Sequence, residues 1–309
     1  MIQQPTFMND IQIKKARDEG ELVICPYAAR NLTPVGYNLS FSRFIISLRR
    51  KAFIKIIHKN KEWFFMLKPF DTALVLTRET IWVSKFIGGT FHSKVSMVIE
   101  GLGHVSTTLD PGWYGQLLVP ISNPTKKSTK IVIAKDEESG IVFQTFITMV
   151  LFRSQEAALN LNNDNKSGRI ELLEQILESK KSNADARYLL EFIQNLKKNI
   201  NQMETFDDLN DPVDRQQKII RFQQEHLKLI DEMDKEFEII NKFSKKGHNR
   251  RTGCFIGIVA ATIFILCAIY MIADKIFGET HREIVNGFTT VILPFVVFGL
   301  GYVRDKYFF

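Results

Sequence analysis

The sequence predicts an all-β distorted barrel, followed by an α-helical stalk and two transmembrane helices. Three observations predict it. Short runs of β-branched and aromatic residues, punctuated by regular turn signals, fill residues 21–152, which is the pattern of an all-β barrel or sandwich. Apolar residues at three-four spacing then run through residues 170–243. Two uncharged apolar runs, 253–273 (GCFIGIVAATIFILCAIYMIA) and 284–303 (IVNGFTTVILPFVVFGLGYV), close the chain. The expected divisions are 1–153 for the β domain, 154–250 for a helical coiled-coil stalk and 251–309 for a membrane hairpin.

Residues 8–20 (MNDIQIKKARDEG) read as a short helix, capped by Asn9 or Asp10 and ended by Gly20. Strands are expected at 21–26, within 32–39, over 41–57, and at 63–67, 72–76, 81–83, 94–99, 116–121, 130–134 and 141–152. Asp110-Pro111-Gly112 and Ser122-Asn123-Pro124 are turns, because Pro presets one dihedral and Gly permits another. Residues 160–167 (NLNNDNKS) are a polar linker.

The helical half follows. Ile170, Leu173, Ile176 and Leu177 form one apolar face, and Tyr188, Leu189, Phe192, Ile193, Leu196 and Ile200 another. Asp211 caps a second helix that opens on Pro212 and runs to about residue 243. Ile219, Phe222, His226, Leu229, Met233, Phe237 and Ile240 keep coiled-coil spacing, with His226 a tolerated seam residue.

A helix of 21 residues covers roughly 30 Å, the hydrocarbon thickness of a bilayer. Lys242, Lys245, Lys246, Arg250 and Arg251 precede the first run, and Arg304 and Lys306 follow the second. The loop between them sets Lys275 and Arg282 against Asp274, Glu279 and Glu283. Both termini are therefore expected on the cytoplasmic side of a two-span protein. Pro294 can kink the second span, and Thr262, Thr289 and Thr290 would line any pore. The simpler reading is an anchor that conducts nothing.

The chain has 309 residues and a formal charge of +7, which fits a membrane surface or an anionic ligand without separating them. No signal-peptide pattern opens it. Cys25, Cys254 and Cys267 lack metal-ligand spacing, so neither disulfide nor zinc site is expected, and no metal or cofactor.

Several segments together carry a family resemblance over about residues 8–152. MNDIQIKKARDEGELVICPYAARNLTPVGYNLSFS is similar to the start of dCTP deaminases. LVLTRETIWV (74–83) resembles the strand before that family's Arg-Ser-Ser motif. TTLDPGWYGQLLVPISN (107–123) resembles its I-D-P-G-(F/W)-x-G segment, and SGIVFQTFI (139–147) its closing segment. The resemblance to the dCTP deaminase and dUTPase superfamily implies a distorted barrel, usually trimeric, with nucleotide sites between subunits. It places ligand-binding roles on Asn38, Ser93, Lys94, Asp110, Trp113 and Gln144.

The departures bear on chemistry. His92-Ser93-Lys94 stands where the family has Arg-Ser-Ser, and Met97 where it has a later arginine. Pro120 stands at the deaminase's catalytic glutamate, and proline cannot shuttle protons. Asn38 replaces the acid of the first dUTPase motif. Asp110 matches the aspartate with which dUTPases orient water, and equally serves as a turn residue. Trp113 either stacks on a base or belongs to the barrel core. No catalytic residue is therefore assigned.

Arg43, Arg49, Arg50, Lys51, Lys55, Lys59 and Lys61 form a basic patch interleaved with Phe44, Phe53, Trp63, Phe64 and Phe65. Such a patch suits an oligonucleotide, anionic lipid or simply a solvated strand face. The expectation drawn from all this is a catalytically inactive nucleotide- or oligonucleotide-sensing membrane effector. It would be a homo-oligomer (trimer or tetramer) in the bacterial inner membrane, forming a ligand-gated channel or membrane-disrupting pore. Its partners would be a nucleotide or short DNA oligomer, membrane lipid and a signal-producing nucleotidyltransferase encoded nearby. That architecture is similar to membrane effectors of anti-phage systems, the Hailong type in particular. The alternatives are a membrane-anchored dCTP deaminase/dUTPase-like enzyme that depletes dNTPs, and a membrane-tethered adaptor.

Overall fold

The computed structural model describes residues 6–103, 106–159, 170–181 and 184–235. The expected hairpin, with Thr262, Thr289, Thr290 and Pro294, lies outside them. Among the described residues no helix is long and apolar enough to cross a membrane.

In chain order the elements are β1 (Thr6–Phe7), α1 (Asp10–Asp18), β2 (Leu22–Cys25), β3 (Leu32–Thr33), β4 (Gly36–Ser47), β5 (Ala52–Phe53), β6 (Ile56–Lys59), β7 (Glu62–Leu67), β8 (Thr72–Val83), β9 (Ile87–Ser93), α2 (Val95–Ile99), β10 (Thr108–Leu109), β11 (Tyr114–Ser122), β12 (Thr129–Glu137), β13 (Gly140–Phe143), β14 (Thr145–Arg153), α3 (Glu171–Glu178), α4 (Ala184–Ile200) and α5 (Pro212–Lys235). The strands pair antiparallel in two sheets. One follows the path β10-β9-β14-β4-β8-β11, with the shorter β1, β2, β3 and β5 attached to it. The other runs β13-β12-β7-β6.

Local chemistry sets the first helix. The Asn9 side chain accepts the Gln12 backbone N–H at 3.0 Å, and the Gln12 side chain accepts that of Asn9 at 2.9 Å. This reciprocal cap satisfies two N–H groups that a helix start leaves open. Gly20 ends the segment with φ of 70°, and a Cβ there would lie 2.8 Å from the Gln216 side-chain oxygen on α5. Glycine thus serves both the turn and the close approach of a distant helix.

Alternation along β4 and β8 builds two cores. Tyr37, Leu39, Phe41, Val75, Ile81 and Val83 point into the barrel. Phe44, Ile46, Leu76 and Trp82 point outward into a second apolar cluster shared with Leu173, Leu177, Leu189, Phe192, Phe206, Phe222 and Ile230. Helices α3 to α5 are therefore packed on the outer face of the barrel, where the sequence was read as a stalk. The physical reason is that β4 and β8 are apolar on both faces, so their outer face must be covered, and the amphipathic helices cover it. The coiled-coil stripe of α5 packs into this cluster, with Ile219, Phe222 and His226 buried: Phe222 meets Phe206 of the helical turn 201–206, and His226 lies between Thr80 of β8 and Asn199 of α4.

A second difference concerns residues 95–99. Their β-branched run predicts a strand, yet it forms the short helix α2, with Val95, Val98 and Ile99 exposed. β-propensity reports packing on a pleated surface, and here there is no such surface to pack on.

Candidate functional site

Three neighbouring strands gather one group of the expected residues. Thr148 of β14 lies opposite Asn38 of β4 on one side and His92 of β9 on the other, and Ile147 lies opposite Ser93. The Thr148 hydroxyl donates to Asn38 Oδ1 at 2.7 Å. Lys94, at the start of α2, donates from its ammonium to Thr145 Oγ1 at 2.5 Å, and partial burial lowers its pKa. Ser93 lines a cavity of about one water's size, together with Met97, Leu102, Gly103, Ile121, Phe146 and Ile147. Gln144 joins this end by its backbone: its N–H donates to the Ile133 carbonyl at 2.8 Å and its carbonyl accepts the Phe41 N–H at 3.0 Å.

Asp110 and Trp113 lie elsewhere. The Asp110-Pro111-Gly112 turn closes through the Trp113 N–H on the Asp110 carbonyl at 3.1 Å, and Gly112 supplies the φ of 73° the bend requires. The Asp110 carboxylate is exposed and accepts the Thr108 hydroxyl at 3.2 Å. Trp113 is half-buried against the barrel core, and its buried indole N–H has no acceptor among the described residues. Leu109, beside Asp110, pairs with Gly89 on β9, whereas Ser93 ends that strand. Four residues of strand separate the two groups by roughly 13 Å. Within one chain, then, the structure unites Asn38, Ser93, Lys94 and Gln144 but not Asp110 and Trp113.

Pro120 is tolerated because β11 is the last strand on its sheet path, where a missing N–H costs no central ladder bond. It pairs with Leu74. Asn38 does not fit a divalent cation: it offers a neutral amide oxygen that already accepts Thr148.

The basic stretch divides. Arg49, Lys51, Lys55, Lys59 and Lys61 are exposed and make no ion pair among the described residues. Arg50 is half-buried, with Nε 4.0 Å from the buried Asp71. Arg43 is not a solvated charge. It is 4 % exposed and lies over the rings of Trp63, at 4.9 Å, and Phe143, at 5.5 Å. Of the interleaved aromatics, Phe44, Phe53 and Phe65 are core residues. Trp63 stacks on His58 at 4.1 Å and donates its indole N–H to Asp136 at 2.8 Å.

Two groups, Glu79 and Arg78, escaped the sequence reading, and His226 has a larger role than the stripe implied. Glu79 is buried in the barrel wall behind this end of the sheet, accepting the Ser40 N–H at 2.8 Å, and burial raises its pKa to about 7. His226 is no mere seam residue. Its Nδ1 lies 2.6 Å from Asn199 Oδ1 and its Nε2 2.6 Å from Thr80 Oγ1, and burial depresses its pKa to about 4. Arg78 pairs with Asp234 of α5. For His226 a signal existed: a polar residue on an apolar stripe requires a buried partner. Arg78 and Glu79 stand between Thr77 and Thr80 within β8, and their partners Asp234 and Ser40 are far away in sequence.

The sequence model of the dCTP deaminase-like family matches residues 7–140. A dCTP deaminase of Pyrococcus horikoshii is 25% identical over 155 residues, covering 50% of this chain and 89% of the relative. That of Pyrococcus abyssi is 29% identical over 150 residues, covering 48% and 87%. Among solved structures, the 2′-deoxycytidine 5′-triphosphate deaminase from Agrobacterium tumefaciens gives a TM-score of 0.38 at 12% identity, over 49% of this chain and 50% of that one. The EIAV dUTPase gives 0.25 at 19% identity, over 40% and 98%. The family match and the sequence relatives correct the expectation of a catalytically inactive channel or pore in anti-phage defence. The sequence relatives carry the name of a deoxynucleotide enzyme, and none of these names points to a channel or to defence. They likewise leave the non-enzyme expectation without support. Residues 7–140 of this chain are thus similar to the dCTP deaminase-like family.

Proposed function

We propose that this protein processes deoxynucleoside triphosphates, with dCTP or dUTP as substrate. The observation that carries the reading is the match of residues 7–140 to the dCTP deaminase-like family, in both family model and named relatives. Ser93 and Lys94 supply a hydroxyl and a cation for the triphosphate. Gln144 hydrogen-bonds the base or sugar and Trp113 offers a ring to stack on. Asp110 is the exposed carboxylate that orients water. Pro120 removes the carboxylate through which deamination would ordinarily pass protons, so the geometry favours hydrolysis of the phosphate chain: water attacks phosphorus and pyrophosphate leaves.

Since the two groups of residues stand apart in one chain, we place each complete site between two copies of a homo-oligomer. The runs 253–273 and 284–303 support a membrane-anchored form with cytoplasmic termini, and alkaline carbonate extraction tests that placement; release of the full chain into the supernatant would refute it.

The test of function is direct. Purified full-length protein incubated with dCTP and with dUTP is expected to release pyrophosphate, and Asp110→Ala to abolish the release. The absence of both turnover and nucleotide binding by calorimetry would overturn the proposal. Ammonia release in place of pyrophosphate would assign the reaction to deamination.

A further inference from the structure

At the end of the barrel where β4, β7 and β11 stop, three turns are tied together. The Leu48 N–H donates to the Thr72 carbonyl at 2.9 Å, the Phe70 N–H to the Asn123 carbonyl at 2.8 Å and the Asn123 N–H to the Asp71 carbonyl at 3.0 Å. The Asn123 side chain also fixes its own turn, donating to the Lys127 carbonyl at 2.8 Å. The loop after α2 joins the same end, where Gly103 bridges to Ser122.

What these turns present to solvent is apolar and basic. Phe70 is 66% exposed and Leu48 48%. Phe70 also sits at φ of 55°, a conformation that a β-carbon disfavours. A strained residue that leaves its ring in water brings no packing gain within the chain, and such strain concentrates at functional positions. Arg49, Lys51, Lys126 and Lys127 are exposed on the same turns, and none makes an ion pair among the described residues. Asp71 is the one acid in residues 47–51, 68–71 and 123–127. It is 2% exposed, accepts the Ser47 hydroxyl at 2.7 Å and lies against Arg50, so it offsets none of the four outer cations. The loop after α2 adds one exposed acid, Glu100, together with the exposed Val98 and Ile99.

We propose that these turns dock on an anionic lipid bilayer, with Phe70 and Leu48 entering the headgroup layer and the four cations meeting lipid phosphates. A bilayer interface takes both halves of the surface, apolar side chains inward and cations at the level of the phosphates. A single-stranded nucleic acid would use the cations and one ring, but Leu48 and Ile99 give a base nothing to stack on. Two apolar side chains alone hold a membrane weakly, so insertion and charge are needed together.

The experiment reads the tip itself, because other parts of the full chain could hold it to vesicles. Phe70→Trp and, in a separate protein, Leu48→Trp place a reporter on the turns. Each full-length variant is moved from neutral detergent into vesicles whose acyl chains carry bromine, made of phosphatidylcholine alone or with phosphatidylglycerol. Emission added over the parent, which has three tryptophans of its own, should be quenched in the anionic vesicles and not in the neutral ones. Lys126→Gln and Lys127→Gln should each weaken docking about fivefold, and raised salt should reverse it. The proposal fails if neither reporter is quenched in anionic vesicles, if neutral vesicles quench equally, or if both lysine changes leave quenching unaltered. It also fails if both reporters are already shielded from acrylamide in detergent, which would put a second copy on this surface. Loss of quenching on adding oligodeoxythymidylate, with a shift in both reporters' emission, would give the surface to nucleic acid instead.

Discussion

Two buried titratable side chains lean on stability in opposite directions. His226 is held neutral: its folded pKa of about 4 lies below the ordinary 6.5 because burial penalises the charge. The unfolded chain therefore binds the extra proton, and stability present above pH 6.5 is lost as pH falls towards 4. Glu79 has a folded pKa of about 7, raised from 4.5 mainly by burial. Here the native state holds the extra proton, so stability present below pH 4.5 is lost as pH rises towards 7. Each slope approaches about 1.4 kcal/mol per pH unit, and the two windows overlap between 4.5 and 6.5. Stability should therefore be nearly flat there in the parent chain. Glu79→Gln should expose a stability that climbs with pH, and His226→Gln one that falls. Denaturant titrations at half-unit steps would check this; equal, flat profiles in all three proteins would contradict it.

At the scale of elements, the helices and the barrel share one apolar contact. Phe222 of α5 sits edge-on to Phe206 at 5.8 Å, and Phe206 in turn meets Trp82 of β8 at 5.5 Å. Phe222→Ala should cost about 3–5 kcal/mol, and limited proteolysis should then release α5 before the barrel strands are cut. Gly20→Ala should cost roughly 1 kcal/mol through its positive φ alone, since the Gln216 side chain can move aside; a shifted thermal midpoint would register it. The same elements show what was legible in the sequence. The barrel was readable from alternating strands and turn chemistry, and α5 from its stripe down to Ile219 and Phe222. The partner of that stripe was not, because three-four spacing specifies an apolar face without saying whether a helix or a sheet meets it. Residues 95–99 misled for the opposite reason: Val and Ile there are exposed, so composition said strand where packing gave no strand to join. The proximity of Ser93 and Asn38 across β14, with Lys94 beside them, agrees with their motif order. The Arg78–Asp234 pair was not legible, because its members are 156 positions apart.

At the scale of the whole molecule, the separation along β9 becomes a prediction about assembly. If each complete site takes Asn38, Ser93, Lys94 and Gln144 from one copy and Asp110 and Trp113 from its neighbour, two different dead variants can repair each other. Lys94→Gln damages one half-site and Asp110→Ala the other. In an oligomer assembled from both, some junctions pair the intact half of each. With equal amounts and random mixing about one junction in four is fully intact. Co-expressed variants should then regain close to a quarter of parental turnover on dCTP or dUTP, while the two proteins purified separately and mixed without exchange regain none. A chain that builds its site alone gives no recovery under either protocol, because every copy would carry its own lesion.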